Sequence, residues 1–230
     1  MSQERTKLWY IQNFDPFNAM RDEDYELIDE HSFMREVKKG EVLYLEGSSD
    51  MNVYMLKKGA VKISKLNPHG KEIILDIFGK GAIFGEMPGV QLEMRDESAV
   101  VIEDGLICTM ERKYFDDALK AIPDLSTSVT KLIGLRRHKI ENKLISLLYS
   151  SVRQRLARTL LTLLEDFGVP HENGRMIRVK LTHMDFADLI ASTRETVTAE
   201  LNKLKGEGVI DFEGKNVVVV STQRLESVAQ

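Results

Sequence analysis

The sequence predicts an α+β protein: an N-terminal antiparallel sandwich or barrel, a long helix, and a C-terminal unit of two helices and a hairpin. Three observations predict it. Short apolar runs punctuated by glycine fill 37–110. A proline-free stretch whose one internal glycine is Gly134 runs from Leu125 to Phe167. Beyond it the pattern passes from strand to helix, turn, helix and hairpin.

Composition sets the outer limits. The chain has 230 residues, 43% of them apolar, enough for packed cores. No apolar run approaches the roughly 20 residues of a membrane span. The opening MSQERTKLWYIQ lacks the apolar stretch of a signal peptide, so a cytoplasmic address is expected. The single cysteine, Cys108, excludes an intrachain disulfide and a four-thiolate iron–sulfur or zinc site. The net charge of -4 does not announce a nucleic-acid partner. Residues 151–230 carry 11 basic and 11 acidic side chains, so the excess belongs to 1–150. Any case for DNA must rest on arrangement.

The elements follow in order. Residues 1–35 read as an amphipathic helical lead-in, with Leu27, Ile28 and Phe33 among RDEDYE. The runs EVLYLEG, NVYMLKKGAVKISKL, KEIILDIFGKGAIFGE and SAVVIEDGLICTM read as antiparallel strands with glycine at the corners. ERKYFDDALKAIPDL reads as a short helix stopped near Pro123. The stretch from Leu125 to Phe167 is too long for one unbroken globular helix, and a hinge is expected at LYSSVRQ. Ile133, Ile140 and Leu147 recur every seven residues, with Val129 four before the first. This suggests a dimer seam, although Arg136 and Lys143 hold the second core position. Packing of the helix on its own roll is the competing reading.

FGVPHENGRM reads as a loop and IRVKLTH as a strand entering a helix. Thr182 caps HMDFADLIA, with Asp185 in the capping-box position. In STRETVTAELNKLKGEGVI, Ser192 is the expected N-cap and Glu195 its partner three residues on. Val197, Leu201 and Leu204 form the buried face, Arg194 and Thr198 lie off it, and Gly208 ends the helix. VIDFEGKNVVVV is a hairpin with residues 213–216 at its tip. The boundaries are thus 1–123 for lead-in and roll, 124–150 for the long helix, and 151–230 for the last unit.

Helix, turn, helix and hairpin is the order of a winged helix-turn-helix. The second helix of such a unit enters the major groove by its N-terminal end. An arginine there suits guanine O6 and N7, and a neighbouring carboxylate can accept from cytosine N4. Arg194 and Glu195 therefore read either as a base-contacting pair or as an incidental arginine beside a cap.

A glycine-punctuated roll, a long helix and a winged helix reading TRETVTAELNKLKGEGVI, with Phe84-Gly85-Glu86 in the roll, is similar to the Crp/Fnr family of bacterial transcription regulators. The resemblance covers nearly the whole chain. It implies a cyclic-nucleotide-binding-type β-roll, a dimerising helix, and homodimers on near-palindromic promoter sites that contact RNA polymerase. By resemblance Arg194 and Glu195 match the base-reading pair. Thr182, His183, Thr196 and Lys215 match phosphate-touching positions, and Thr193 and Thr198 complete the DNA-binding set.

The chain departs from the family where chemistry is at stake. A second arginine often follows five residues after the first, and Ala199 stands there. The phosphate-binding run after the Gly-Glu turn has Glu97-Ser98-Ala99 where the family has arginine first. A carboxylate there removes the charge-assisted fork. Arg95, two residues earlier on an expected strand, shares its face and is the candidate substitute. The candidate effector pocket is Gly85, Glu86, Arg95, Glu97, Ser98 and Arg136. Ile140 and Glu141 stand where a cyclic-AMP binder carries hydroxyls, so cyclic AMP is disfavoured as effector. A ligand-independent regulator stays open.

Other chemistries find few residues. Of His31, His69, His138 and His171, only His138 on the long helix merits testing as a haem ligand. Met87 reads as core and Cys108 as buried filler. A cupin-like enzyme would need clustered metal ligands, and between Val37 and Met110 the one histidine is His69. No GxSxG, Walker A or HExxH spacing occurs, so no catalytic or metal site is expected. A cyclic-nucleotide-binding regulatory subunit would leave the winged helix without a role.

Overall fold

A computed structural model describes residues 6–14, 17, 20–86 and 94–230. Contacts divide the chain into two units, Met1–Ile63 with Ile77–Lys139, and Ser64–Asp76 with Ile140–Gln230. The division falls inside the long helix, whereas the sequence boundaries lie at its ends.

The first unit begins with α1 (Lys7–Gln12) and α2 (Asp22–Glu30). The roll follows as β1 (Ser32–Val37), β2 (Val42–Tyr44), β3 (Asn52–Leu66), β4 (Glu72–Phe78), β5 (Ile83–Gly85) and β6 (Ser98–Glu111). The sheet order is β1-β6-β3-β4, with β2 also pairing β6 and β5 pairing β3. The lead-in therefore stops being helical at Ser32. Phe33 sits on β1 opposite Thr109 and is exposed, because strand alternation turns it away from the core. Gly105 on β6 is required by close approach: a Cβ there would lie 2.1 Å from the Lys58 carbonyl oxygen.

Two cores form. Tyr44, Tyr54, Leu56, Ile63, Phe84 and Ile107 fill the roll. Ile11, Phe14, Ile28, Met55, Phe115 and Leu125 join the roll's other face to the helices. α3 (Arg112–Ala121) ends before Pro123, and that proline opens α4 (Pro123–Tyr149), where its missing N–H costs nothing. Val129 belongs to the second core and is 3% exposed. Its assignment to a dimer seam is corrected: the first turns of α4 are covered by their own domain.

Within the second unit, α4 gives way to the next helix at the expected hinge. Ser151 caps α5 (Val152–Phe167) in a reciprocal box with Gln154. The stretch read as a loop is instead a hairpin, β7 (Gly168–His171) and β8 (Gly174–Ile177), turning at residues 172–173. Asn173-Gly174 marked the turn, but the flanking residues also pair. α6 (His183–Leu189), α7 (Arg194–Gly206), β9 (Ile210–Glu213) and β10 (Asn216–Val219) follow, giving a sheet ordered β7-β8-β10-β9. A last helix, α8 (Thr222–Ala229), was not anticipated. Ser221 caps it, and it buries Leu225 against this unit's core.

Candidate nucleic-acid interface

α6 starts where its sequence requires. The Thr182 hydroxyl accepts from the Asp185 N–H at 3.1 Å, and the Asp185 carboxylate accepts from the Thr182 N–H at 2.7 Å. The turn to α7 is Ile190, Ala191 and Ser192. Ala191 has φ +50°, the left-handed region. The Ser192 N–H donates to the Ala187 carbonyl at 2.9 Å, which closes the turn.

The cap of α7 is Thr193, not Ser192. Its hydroxyl accepts from the Thr196 N–H at 3.2 Å. Glu195 is therefore one position short of the capping-box site, and Thr196 takes that place, its hydroxyl 2.9 Å from that of Thr193. Ser192 is engaged in the preceding turn, so the cap moves one residue on. Arg194 is the first helical residue and Glu195 the second, both exposed. Among the described residues neither side chain has an intramolecular partner. The carboxylate is favoured at the positive helix end; the guanidinium is opposed by it.

Val197, Leu201 and Leu204 are fully buried and orient the helix. The Thr198 hydroxyl donates to the Arg194 carbonyl at 2.8 Å and lies 2.8 Å from His183 Nδ1. With that proton spent, Nδ1 must be the donor. His183 and Thr198 thus brace α6 against α7, and a neutral His183 keeps Nε2 as an acceptor. In the hairpin, Gly214 and Lys215 form the turn, with Lys215 exposed. Asn216 is not at the tip. It is buried, and its amide donates to the Ile177 and Arg178 carbonyls at 2.9 Å each.

The candidate effector residues lie in the roll. Gly85 has φ +92°, and a Cβ there would meet the Asn52 oxygen at 2.6 Å, so only glycine fits. Glu86 is buried, with Arg112 Nη1 at 2.8 Å and Arg95 Nη1 at 3.7 Å. Arg95 precedes β6 rather than lying on a strand, so the shared-face argument fails. Its guanidinium turns inward. It donates to Asp50 Oδ1 and the Asn52 carbonyl, both at 2.6 Å, and lies 4.3 Å above the Tyr44 ring. Burial raises the Asp50 carboxyl, but the bonds from Arg95 and Asn52 outweigh it and hold the group below its usual range. Glu97 Oε1 accepts from the Tyr44 hydroxyl at 3.0 Å, and burial pushes both groups up. The Ser98 hydroxyl accepts from the Glu46 N–H at 2.9 Å. The Arg136 guanidinium stacks on Phe78 at 4.3 Å.

Residues 34–121 match the cyclic nucleotide-binding domain, and residues 154–228 match the Crp-like helix-turn-helix domain. The global nitrogen regulator of Synechocystis sp. is 31% identical over 183 residues, 79% of this chain and 81% of that protein. This chain belongs to the Crp/Fnr family of transcription regulators. A CRP-like cAMP-activated global transcriptional regulator of Mycobacterium tuberculosis is 29% identical, over 81% of this chain and 84% of its own. The structure of FixK2 from Bradyrhizobium japonicum shares the fold, with TM-score 0.77 and 22% identity over 86% of this chain and 98% of that one.

The expected α+β architecture is that of its structural relatives, and this Crp/Fnr regulator is a DNA-binding protein. Its long helix carries more exposed apolar surface than the heptad reading found. Ile133, Ile140 and Leu147 are exposed, and so are Leu135, Leu144, Ile145, Leu148 and Tyr149. Leu144 stands four residues after Ile140. The sequence reading placed the second core position three residues on, at Lys143. Lys143 instead donates to the Ile74 and Leu75 carbonyls at 3.3 and 3.0 Å, and burial lowers its ammonium. Met87 lies outside the described residues. Cys108 is buried and burial pushes its thiol up, away from reactivity. Among the described residues no group of three His, Cys, Asp or Glu side chains is placed to hold a metal, and no helix is long and apolar enough to cross a membrane.

Proposed function

We propose that this regulator works in the cytoplasm as a homodimer, each α7 reading one half of a near-palindromic promoter site. The observation that carries the reading is Arg194: an exposed guanidinium, unpaired among the described residues, at the first position of a helix whose opposite face is fully buried. Arg194 and Glu195 read bases. Thr182, Thr193, Thr196 and Lys215 meet phosphates, while His183 and Thr198 hold the two helices in register as well as lying near the backbone. Ala199 removes a second base-reading arginine, so the preferred sequence differs from that of members with both. Two copies pair along the exposed face of α4, and bound protein contacts RNA polymerase. The protein is not an enzyme.

The roll does not answer to cyclic AMP in this proposal, unlike the mycobacterial relative. Glu97 supplies a carboxylate where phosphate would sit, and Arg95 is committed to Asp50. The roll senses another ligand or none. Selection from random duplex pools, repeated with a panel of metabolites including cyclic AMP, tests the reading. It should return a two-part site with halves about one helical turn apart, the same with and without cyclic AMP. Failure to enrich any sequence would sink the proposal.

A further inference from the structure

The turn between α6 and α7 has an anchor outside the helix-turn-helix itself. Arg155, on the first turn of α5, sends its guanidinium to three main-chain carbonyls. Nη1 donates to Ser150 at 2.8 Å, Nε to Ile190 at 2.9 Å, and Nη2 to Ala191 at 3.4 Å. Ser150 directly follows α4. Ile190 is the C-cap of α6. Ala191 is the left-handed residue of the turn.

These carbonyls share one problem. The last carbonyls of a helix have no partner within it, and the negative end of the helix favours a cation. A single planar fork answers both helix ends at once. Lysine offers a point charge and cannot span them in the same way. The contact at Ala191 has a second effect, because a residue with a Cβ resists positive φ and needs its surroundings to hold it there.

Two alternative roles fit less well. The start of α5 is already satisfied by the Ser151–Gln154 box, so Arg155 is not needed as a cap. Its donors already face three carbonyls, which leaves little of the fork for a phosphate. Its neighbours point to the same bracket. Arg153 pairs with Glu207, the C-cap of α7, at 2.5 Å and with Glu200 on α7 at 3.6 Å, and Arg158 donates to Ser146 Oγ at 2.9 Å on α4. Arg155 alone of the three touches both the end of α4 and the turn that aims α7.

We infer that Arg155 is a positioning residue for DNA binding: it locks the left-handed turn before α7 to the end of α4, and so sets the angle at which Arg194 is presented. This rests on the DNA-reading role of α7, and wild-type binding to its selected site tests that role separately.

The test compares wild type, Arg155→Gln, Arg155→Lys, Ala191→Gly and Arg155→Gln/Ala191→Gly. Each is titrated with the selected duplex and a scrambled one over a salt series, with the folded fraction measured by circular dichroism. Arg155→Gln should weaken specific binding by about tenfold or more, as loss of charge-assisted hydrogen bonds does. Its salt slope should not change, since no phosphate contact is lost. Arg155→Lys should recover part of the affinity. Ala191→Gly should do little alone and should restore affinity in the Arg155→Gln background, because glycine holds positive φ unaided. Should Arg155→Gln not fold, Arg155→Lys with and without Ala191→Gly carries the same comparison. Affinity within twofold of wild type in folded Arg155→Gln would overturn the inference. So would a slope reduced by about 1, which would make Arg155 a phosphate contact, or strictly additive effects at the two positions.

Discussion

Arg95 Nη2 lies 2.6 Å from Asp50 Oδ1, 45 positions back in the chain, and this ion pair helps turn the guanidinium two residues before Glu97 into the body of the roll. With Arg95 bound inward and Glu97 bonded to Tyr44, the roll offers a phosphate poor compensation for its lost hydration. Calorimetry with cyclic AMP should therefore show no micromolar binding. Glu97→Arg should improve phosphate-ligand affinity, since it removes the repelling carboxylate and adds a fork. A micromolar dissociation constant for wild type would contradict this account.

Arg194 and Lys215 should differ in kind. Arg194→Ala should cost about 1–3 kcal/mol at one symmetric base pair and flatten preference there. Lys215→Ala should weaken all sequences alike and reduce the salt slope by about 1. Competition binding against single-base variants of the selected site at fixed salt separates the two. An unchanged preference profile in Arg194→Ala would leave that arginine without a base-reading role.

Ile140→Asp should abolish pairing of two copies along α4. The side chain is 62% exposed in the single chain, so the substitution leaves the monomer's core intact. At an interface it buries an unpaired charge, typically a loss of several kcal/mol. Sedimentation velocity at micromolar concentration should show monomer. A variant that stays dimeric would place the interface elsewhere.

Lys57 gives a pH signature. It is 3% exposed, and its amine sits 3.5 Å above the Phe14 ring with no hydrogen-bond partner among the described residues. Burial lowers it to about 7. Between the unfolded value near ~10.5 and about 7, the unfolded chain binds the proton and the folded one does not. Folded stability therefore falls as pH drops through that window, by up to about 1.4 kcal/mol per pH unit, and the penalty is constant below it. Lys57→Met should be the more stable protein at pH 7, with the gap narrowing by pH 9.5. Urea melts at both pH values would show this, and a gap independent of pH would refute it.

The residues that were legible in sequence act through neighbours three and four positions away. Thr182 with Asp185, the break before Ser151, the buried set Val197, Leu201 and Leu204, and the stop at Gly208 depend on helix periodicity and backbone conformation, which a short window contains. The same holds for Arg194 at the head of α7. Even there the cap expected at Ser192 falls instead at Thr193, one residue past the turn closed by the bond from Ser192 N–H to the Ala187 carbonyl. Tertiary structure decided what depends on distant partners. Val129 is apolar in a heptad pattern, and only closure of the core around it removes it from the surface. Asn216 looks like a turn residue until its amide reaches Ile177 and Arg178. Arg95 looks available until Asp50 is folded beside it. Periodicity states which side of an element is apolar or charged; which partner that side meets is set by chain closure over tens of residues, and no local spacing encodes it.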